Sequence, residues 1–283
     1  MNDIYSLAGI ITPESKKAVF ECTIHGTHEY KTFRQRDGKW PAPYCPICAR
    51  ERREREEKVE EIAEDAGRQC RSITNALGLK EIPGWDRWTF ENYEVKTPRQ
   101  KKALNVCKRF AHGFLDREIK RHDARLACQP DWHEVNHWGL ALQGNPGTGK
   151  THMCASIAKV LAEARVPAVY LRVMDLFLAL KDRDRRIDEV TLFRQLAVIP
   201  CLILDEFGRH TWSDYDKTRL WQLFDDRLNN GRPTIVVTNL NRSELSAVVD
   251  ETILDRFKDS LFPVQFDWES HRGSVAVTAE ELF

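Results

Sequence analysis

The sequence predicts an α/β protein in which a small metal-binding domain precedes a doubly wound parallel sheet. After about residue 85, short apolar segments alternate with segments of helical periodicity, as in a parallel sheet covered by helices on both faces. A glycine-rich loop, QGNPGTGKTH in residues 143–152, joins one apolar segment to a helical one. Two close pairs of cysteine and histidine residues lie near the start, in a segment too small to build much of an apolar core.

The first predicted element is a zinc site made of these two close pairs. Cys22 pairs with His25 and Cys45 pairs with Cys48, with 19 residues between the pairs. Three thiolates and an imidazole at this spacing suit tetrahedral Zn²⁺ in a zinc ribbon or knuckle. Bound zinc stabilises small metal-folded peptides by about 10–16 kcal/mol, which packing alone does not supply in so short a segment. His28 is the alternative to His25 as the histidine ligand.

The residues around this site predict a small module followed by a helical linker. Between the two pairs the sequence reads as two short strands around a turn at Asp37-Gly38, within a module that spans residues 1–48. In residues 49–84, charges of both signs alternate, which is typical of a solvent-exposed helix with i,i+4 ion pairs. Alternatively, apolar positions on this helix form a partner-binding face: Val59, Ile62, Ala63 and Ala66. IPGW at residues 82–85 then breaks the helix and marks a domain boundary.

The segment before the glycine-rich loop is predicted to be mainly helical. Residues 96–122 read as one long helix because apolar positions recur at helical spacing. Residues 89–93, TFENY, precede that helix. Their aromatic side chains either pack in the core, which we favour, or lie near the base of a bound nucleotide.

The glycine-rich loop fits the pattern Gly-x-x-x-x-Gly-Lys-Thr between a strand-like segment and a helix, which is the context of a phosphate-binding loop. Its glycines let the backbone approach the phosphates of ATP, and N–H groups at the helix start attract their charge. Lys150 is expected to reach the β- and γ-phosphates, and Thr151 to place its hydroxyl on Mg²⁺. The expected nucleotide contacts are Gly144, Asn145, Pro146, Gly147, Thr148, Gly149, Lys150, Thr151 and His152.

Two further apolar segments end in polar residues and complete the predicted nucleotide site. CLILDE, residues 201–206, reads as a buried parallel strand, and open α/β sheets bind ligands where such strands end. Asp205 is expected to bind Mg²⁺, and Glu206 to orient or activate the attacking water. TIVVTN, residues 234–239, reads as another buried strand. Asn239 is expected to bond the water or the γ-phosphate, although asparagine after a strand is also a common turn residue.

Composition limits the classes of function. The 283-residue chain has 30% charged residues and a formal net charge of zero, so nucleic-acid contacts would need a local basic patch. One basic cluster, which is either a solvated loop or a DNA contact, consists of Lys181, Arg183, Arg185 and Arg186. No apolar run approaches the ~18 residues of a membrane span, and the start does not read as a signal peptide. Without an export signal, the eight cysteines indicate thiols or a metal site and not disulfides, so we expect a cytoplasmic protein. Without a membrane span, we expect no membrane contact.

The residues after Asn239 are too few for a complete helical lid, so we expect little or none. Within them, Arg256 follows an amphipathic segment at residues 244–254 and is a candidate to reach the γ-phosphate of a neighbouring subunit. The alternative for Arg256 is a surface ion pair with Asp255 or Asp259. Arg272 is a second basic candidate.

Several segments together resemble the DnaC-type replicative helicase loaders, a branch of the AAA+ ATPases shared with the IstB transposition helpers. They are GNPGTGKTH, LILDEFG, DYDKTRLWQLFDDRLNNGRPTIVVTN, LDRFKDSL and FDWESHRG, with IPGWDRWTFENYEVKTPRQKKAL before them. The similarity covers about residues 80–275, and CTIHG…CPIC resembles the zinc-bearing front end of phage-encoded loaders. The long DGKWPAPY loop between the zinc pairs departs from that pattern and leaves the choice of ligands open.

The resemblance implies an AAA+ P-loop ATPase domain in residues 85–283 with little or no helical lid. Residues 144–151 would be its Walker A motif. The other implied catalytic residues are Asp205 with Glu206 as Walker B, Asn239 as sensor 1 and Arg256 as the arginine finger, acting with Lys150. The amino-terminal region would bind a hexameric replicative helicase. The ATPase domain would self-associate through ATP and touch single-stranded DNA.

The function expected from the residues and the resemblance is ATP-dependent loading of a replicative DNA helicase onto single-stranded DNA at replication initiation. One alternative is an IstB-like ATPase that assists a transposase, and another is a non-enzymatic adaptor with a decayed ATPase. The zinc module and the charged linker favour a loader over the first alternative. The intact motif residues count against a non-enzymatic adaptor.

Overall fold

The computed structural model of the chain describes residues 14–127, 139–209, 212–249 and 251–271. The chain divides into two compact units, one ending at Val59 and the other beginning at Glu60. The division falls inside a helix, α1 (Pro46–Leu77), which begins in the first unit and ends in the second. The functional boundaries expected at residues 48 and 84 stay predictions.

The amino-terminal unit contains an antiparallel hairpin of β1 (Ser15–Cys22) and β2 (Gly26–Phe33). Its turn runs from Cys22 to Gly26, and Gly26 has a φ of 76°, which a residue with a side chain rarely adopts. The prediction that two strands flank Asp37-Gly38 is therefore wrong. Those two residues lie in a separate turn beyond β2, so a strong local turn signal was assigned to the wrong pair of strands.

Helix α1 is highly charged in its first half and packs into the second unit towards its end. Ile73 and Leu77 belong to the large hydrophobic core of that unit. Ile62 and Ala66, which the sequence offered as a partner-binding face, are buried in the chain itself. Part of the helix that the sequence predicts to be exposed to solvent is therefore buried.

The second unit has a five-stranded parallel sheet among its described residues, which confirms the predicted fold class. Its strands are β3 (Gly139–Gly144), β4 (Ala168–Arg172), β5 (Cys201–Asp205), β6 (Thr234–Thr238) and β7 (Leu261–Phe266). The order across the sheet is β4-β5-β6-β3-β7, and every neighbouring pair is parallel. Each residue of β5 and β6 is buried, as expected for central strands covered on both faces.

Helices precede the first strand of this sheet and fill the connections between its strands. They are α2 (Pro98–His112), α3 (Phe114–Leu126), α4 (Lys150–Glu163), α5 (Val173–Lys181), α6 (Glu189–Val198), α7 (Asp214–Asn229), α8 (Arg242–Val248) and α9 (Glu251–Ser260). After β7, the described part of the chain contains residues 267–271 and no helical bundle. Within the described ranges, every helix is too short or too polar to traverse a lipid bilayer.

Two features of the second unit differ from the sequence-based expectation. The single helix predicted for residues 96–122 is two helices, because Gly113 closes α2 with its N–H bonded to the oxygen of Arg109 at 3.1 Å. Strand β7 was not predicted. It contains Pro263, a residue that is uncommon in strands but that a sheet tolerates at an edge position such as this one.

Buried arginines hold the helices to the sheet. The guanidinium of Arg227 on α7 is fully buried and donates to the oxygens of Leu196, Ile199 and Pro233 and to the hydroxyl of Thr234. These bonds join α6, α7 and the start of β6 at the amino ends of β5 and β6. Because the two strands are parallel, their carboxyl ends lie together at the opposite edge of the sheet.

A second buried charge cluster lies on α3. Glu118 is almost completely buried and pairs with Arg121 and Arg232. Burial alone would raise the pKa of Glu118, but the two guanidiniums hold it at about 2. The carboxylate therefore stays charged, and its partners compensate for its removal from water.

Candidate functional site

A cleft of ≈ 530 Å³ lies where β5 and β6 end and β3 leads into the glycine-rich loop. Its lining includes Gly147, Lys150, Thr151, Asp205, Glu206 and Asn239. The sheet order places β5, β6 and β3 side by side, which explains why three distant sequence segments meet here.

The loop needs glycine for both its conformation and its space. Gly144, Gly147 and Gly149 have φ values of 136°, 75° and 94°. A Cβ on Gly144 would lie 2.2 Å from the backbone oxygen of Phe266, and one on Gly149 would lie 2.6 Å from the ring of Tyr93. Because Gly149 is the N-cap of α4, the positive end of that helix is at the cleft.

Lys150 is buried at the start of α4. Its Nζ donates to the backbone oxygens of Gly144 at 2.7 Å and Asn145 at 2.6 Å. These bonds hold the ammonium group against the loop in a wall of the cleft. A triphosphate in the cleft would offer it charged oxygens in place of the two carbonyls.

Asp205 ends β5 and is held by three donors from three parts of the chain. The N–H of Glu206 donates to Oδ1 at 2.7 Å, the hydroxyl of Tyr170 donates to Oδ2 at 2.7 Å, and Thr151 Oγ1 lies 3.3 Å from Oδ2. A carboxylate and a hydroxyl this close are oxygen ligands of the kind that Mg²⁺ prefers, so the residues fit the ion. Burial and the neighbouring Asp205 charge raise the pKa of Tyr170, so its hydroxyl keeps its proton.

Glu206 has a left-handed backbone conformation, with a φ of 56°. Left-handed backbone is uncommon for a residue with a side chain and clusters at functional sites. Its Oε1 accepts from Arg209 Nη1 at 3.1 Å, and both residues line the cleft. The carboxylate is thus at the cleft but paired with a cation.

Asn239 follows β6 and lines the cleft beside Thr238. The hydroxyl of Thr238 donates to the oxygen of Phe207 at 2.8 Å and accepts from the N–H of Leu240 at 3.1 Å. These bonds fix the turn that carries Asn239, close to the segment that carries Glu206.

Aromatic residues before α2 form another wall of the cleft. The rings of Trp88 and His152 stack with centroids 5.4 Å apart, and Tyr93 meets His152 edge-on at 5.2 Å. Phe90 and Tyr93 are buried, as the core interpretation of residues 89–93 expects, while Asn92 and Tyr93 also line the cleft. Burial lowers the pKa of His152, so the imidazole stays neutral in this wall.

The end of β7 and the residues that follow it support the glycine-rich loop, which the sequence analysis did not predict. The N–H of Asn145 donates to the oxygen of Phe266 at 3.0 Å, and Trp268 Nε1 donates to the oxygen of Thr148 at 3.0 Å. The N–H of His271 donates to the oxygen of Gly147 at 2.9 Å. These contacts join residues more than 100 positions apart, and no local pattern signals them.

Arg256 lies on α9 and is not among the residues that line the cleft of its own chain. Its guanidinium pairs with Asp225 on α7 at 2.7 Å and with Asp259 at 4.0 Å. The ion pair with Asp259 was one of the alternatives for this residue, whereas Asp225 was not foreseen. Arg272 lies outside the described residues.

The four predicted zinc ligands converge in the amino-terminal unit. Ligand atoms of Cys22, His25, Cys45 and Cys48 all lie within 4.8 Å of one another. The sulfurs of Cys22 and Cys48 are 3.7 Å apart, close to the ~3.8 Å edge of a tetrahedron with Zn–S bonds of about 2.3 Å. The residues therefore fit a Zn²⁺ ion. His28 lies outside this group.

The surroundings of the cluster favour a thiolate at Cys22 and an oriented imidazole at His25. The N–H groups of Ile24 and His25 lower the pKa of Cys22 to about 6, whereas burial raises the pKa of Cys48 to about 11. Nδ1 of His25 faces the sulfurs, and its Nε2 lies 3.4 Å from Glu51. A carboxylate behind a histidine ligand is a common means of fixing its orientation.

The basic cluster after α5 is partly engaged within the chain. Lys181 lies 3.5 Å from Asp216, and Arg185 pairs with Asp182 and donates to the oxygen of Leu77 at 2.8 Å. These contacts link the cluster to α7 and to the end of α1.

Comparison with known proteins gives both a family and named relatives. The family model described as IstB-like ATP binding protein matches residues 56–275. The replicative helicase loader DnaC of Escherichia coli (strain K12) is 30% identical over 216 residues, covering 75% of this chain and 79% of that protein.

Solved structures show the same fold. The crystal structure of the DnaC helicase loader superposes with a TM-score of 0.52 at 22% identity, covering 65% of this chain and 98% of that one. The replication initiator DnaA bound to AMPPCP and single-stranded DNA gives a TM-score of 0.51 at 15% identity, covering 64% of this chain and 50% of that one.

Proposed function

Because the chain belongs to the family of IstB-like ATP-binding proteins, we propose that it is an ATP-dependent loader, which places a replicative DNA helicase on single-stranded DNA at replication initiation. The observation that carries this proposal is the 30% identity to a replicative helicase loader across 79% of that protein. The same relative favours helicase loading over assistance to a transposase.

Nucleotide binding would use the cleft of the second unit. Backbone N–H groups of the glycine-rich loop and the start of α4 would hold the phosphates of ATP. Lys150 would exchange its carbonyl partners for phosphate oxygens. Thr151 and Asp205 would hold Mg²⁺, which supplies charge neutralisation for the phosphates.

Hydrolysis would require Glu206 and Asn239 to position the attacking water. Glu206 is 34% exposed at the side chain and paired with Arg209, and exposed ion pairs of this kind are worth about 0–1 kcal/mol. Release of Glu206 from Arg209 is therefore an easy step. Asn239 would hold the water or the γ-phosphate from the adjacent strand end.

Self-association through ATP would complete the site. Arg256 would leave Asp225 and reach the γ-phosphate held by a neighbouring subunit. Hydrolysis would loosen that contact. ATP would then act as a timer for assembly and release, while the domain touches single-stranded DNA.

The amino-terminal unit would be the adaptor that binds the hexameric helicase. Its zinc cluster would hold the hairpin in shape, and the hairpin would present side chains such as Val19 and Ile24 that are exposed in this structure.

The test is capture of a hexameric replicative helicase by the purified chain, in the presence of ATP. The intact chain should retain the helicase, and a chain lacking residues 1–48 should not. This truncation keeps Ile73 and Leu77, which the second unit needs for its core. Lys150→Ala serves as a control that leaves the amino-terminal unit untouched. Failure of every replicative helicase to bind, with ATP turnover intact, would shift the assignment to a transposase partner.

A further inference from the structure

Tyr170 touches the expected Mg²⁺ ligand, although it belongs to none of the nucleotide-binding motifs. It lies on β4, the edge strand next to β5. Its hydroxyl donates to Asp205 Oδ2 at 2.7 Å, which is the length of a charge-assisted bond between a hydroxyl and a carboxylate. Such bonds are about twice as strong as those between neutral groups.

The three donors to Asp205 have different roles when a nucleotide arrives. Thr151 Oγ1, at 3.3 Å, is expected to turn its oxygen towards the metal ion. The N–H of Glu206 belongs to the next residue and holds the other oxygen, Oδ1. Tyr170 comes from a neighbouring strand and is not expected to ligate the metal, so its bond to Oδ2 can persist throughout binding.

Parallel pairing explains how Tyr170 reaches this place. The register sets Tyr170 opposite Ile203 and Arg172 opposite Asp205. Tyr170 also lines a second cleft of ≈ 630 Å³ beside the sheet edge, which shares Thr151, Asp205 and Glu206 with the nucleotide cleft. Tyr170 thus reaches Asp205 from β4, which lies on the opposite side of β5 from β6 and β3, and it is not among the residues that line the nucleotide cleft.

We propose that Tyr170 is a positioning residue for Mg²⁺ in the nucleotide site, because its hydroxyl fixes the Asp205 carboxylate in the orientation that the ion requires. The inference rests on the proposed nucleotide site and adds a residue to it. Partners that orient metal ligands typically contribute 10–100-fold to metal affinity, which gives the expected size of the effect.

The test compares full-length wild type with Tyr170→Phe, which keeps the aromatic ring and removes the hydroxyl. Binding of a fluorescent ATP analogue is titrated with Mg²⁺, and is measured separately in EDTA. The Mg²⁺ concentration at half-maximal binding should rise about 10-fold in Tyr170→Phe, while the affinity measured in EDTA stays at the wild-type value.

Tyr215→Phe is the matched control. Tyr215 lies on α7, is 45% exposed and has Glu189 and Arg219 as its polar neighbours. The same chemical change there should leave the Mg²⁺ midpoint at the wild-type value.

Two results would overturn the proposal for Tyr170. One is a Mg²⁺ midpoint in Tyr170→Phe equal to that of wild type. The other is an equal loss of analogue affinity with Mg²⁺ and with EDTA, which would mean that the hydroxyl supports the fold and not the ion. A wild-type chain that binds no analogue at all would overturn the proposed nucleotide site and this inference with it.

Discussion

The nucleotide cleft and the zinc cluster are built in opposite ways. In the cleft, Lys150 and Asp205 are buried. Backbone oxygens of the glycine-rich loop hold Lys150, and donors from several elements hold Asp205. In the amino-terminal unit, two ligand atoms from a two-stranded hairpin meet two from the start of α1. Side chains of that hairpin are largely exposed, with Ile24 at 77% and Val19 at 62%.

The two sites should therefore depend on their ligands to different degrees. A hydrophobic core holds the cleft in shape, so we expect the second unit to stay folded without ATP. An isolated two-stranded hairpin is marginally stable at best, so we expect the first unit to need its metal.

Removal of one zinc ligand should have the largest effect. Cys45→Ser should lose bound zinc and unfold the hairpin, because structural zinc contributes about 10–16 kcal/mol in small metal-folded peptides. Metal analysis and amide hydrogen exchange would measure both results. Cys70→Ser, outside the cluster, should keep its zinc, and ATP binding should be unchanged in both variants. A full equivalent of zinc in Cys45→Ser would show that the ligands are misassigned.

Removal of the guanidinium of Arg256, the candidate arginine finger, should slow ATP hydrolysis by the assembled protein. Arg256→Ala should lower ATP hydrolysis by about 10³–10⁵-fold while retaining ATP binding, as for arginine fingers in other phosphate-hydrolysing systems. Steady-state turnover at saturating ATP would measure it. Lys258→Ala is the matched control, since it removes a different ion pair, with Asp255, from the same helix. Equal turnover in Arg256→Ala and Lys258→Ala would assign Arg256 to a surface ion pair.

Loss of the loop lysine should weaken catalysis without unfolding the second unit. Lys150→Ala should lower ATP hydrolysis by about 10²–10³-fold, the cost of removing one preorganised donor to transition-state charge. The thermal unfolding midpoint should change little, because the loop keeps its glycine geometry and its support from β7. Lys159→Ala, later on α4, is the control. Unchanged hydrolysis in Lys150→Ala would refute the phosphate-binding interpretation of the loop.

Acid should destabilise the second unit through Glu118. Its pKa falls from 4.5 to about 2 on folding, so the stabilisation is complete above about pH 4.5 and is lost as the pH falls towards 2. The loss should be about 3 kcal/mol. Urea unfolding between pH 5 and pH 2, with the second unit monitored, would measure it. Glu118→Gln should be less stable at pH 5 and should lose this part of the pH dependence; an identical pH slope in both proteins contradicts the assignment.

Local patterns sufficed to predict much of the cleft. The loop from Gly144 to Thr151 and the strand ending at Asp205 each carry their pattern within a few residues, and the parallel sheet brings them together. Tyr170, Phe266 and Trp268 escaped prediction because their contacts depend on which strands become neighbours. That information is not local in the sequence.

The same limit explains the errors elsewhere. The turn at Asp37-Gly38 is a real turn, but the hairpin turns between Cys22 and Gly26, where β1 and β2 become paired. Strand β7 contains Pro263, a residue that is uncommon in strands, yet its pairing with β3 outweighs the missing N–H at that position. The pairing of Arg256 with Asp225 likewise depends on how α9 packs against α7.

The support that β7 gives to the glycine-rich loop has a consequence for biosynthesis. The loop occupies residues 143–152, whereas the backbone of Phe266 and the indole of Trp268 that support it are translated more than 100 residues later. A nascent chain on the ribosome therefore lacks a complete phosphate cradle until nearly the whole second unit has emerged, because long-range strand pairing comes late. Unfinished polypeptides would therefore bind ATP poorly. They would also compete poorly with finished chains for association with completed subunits.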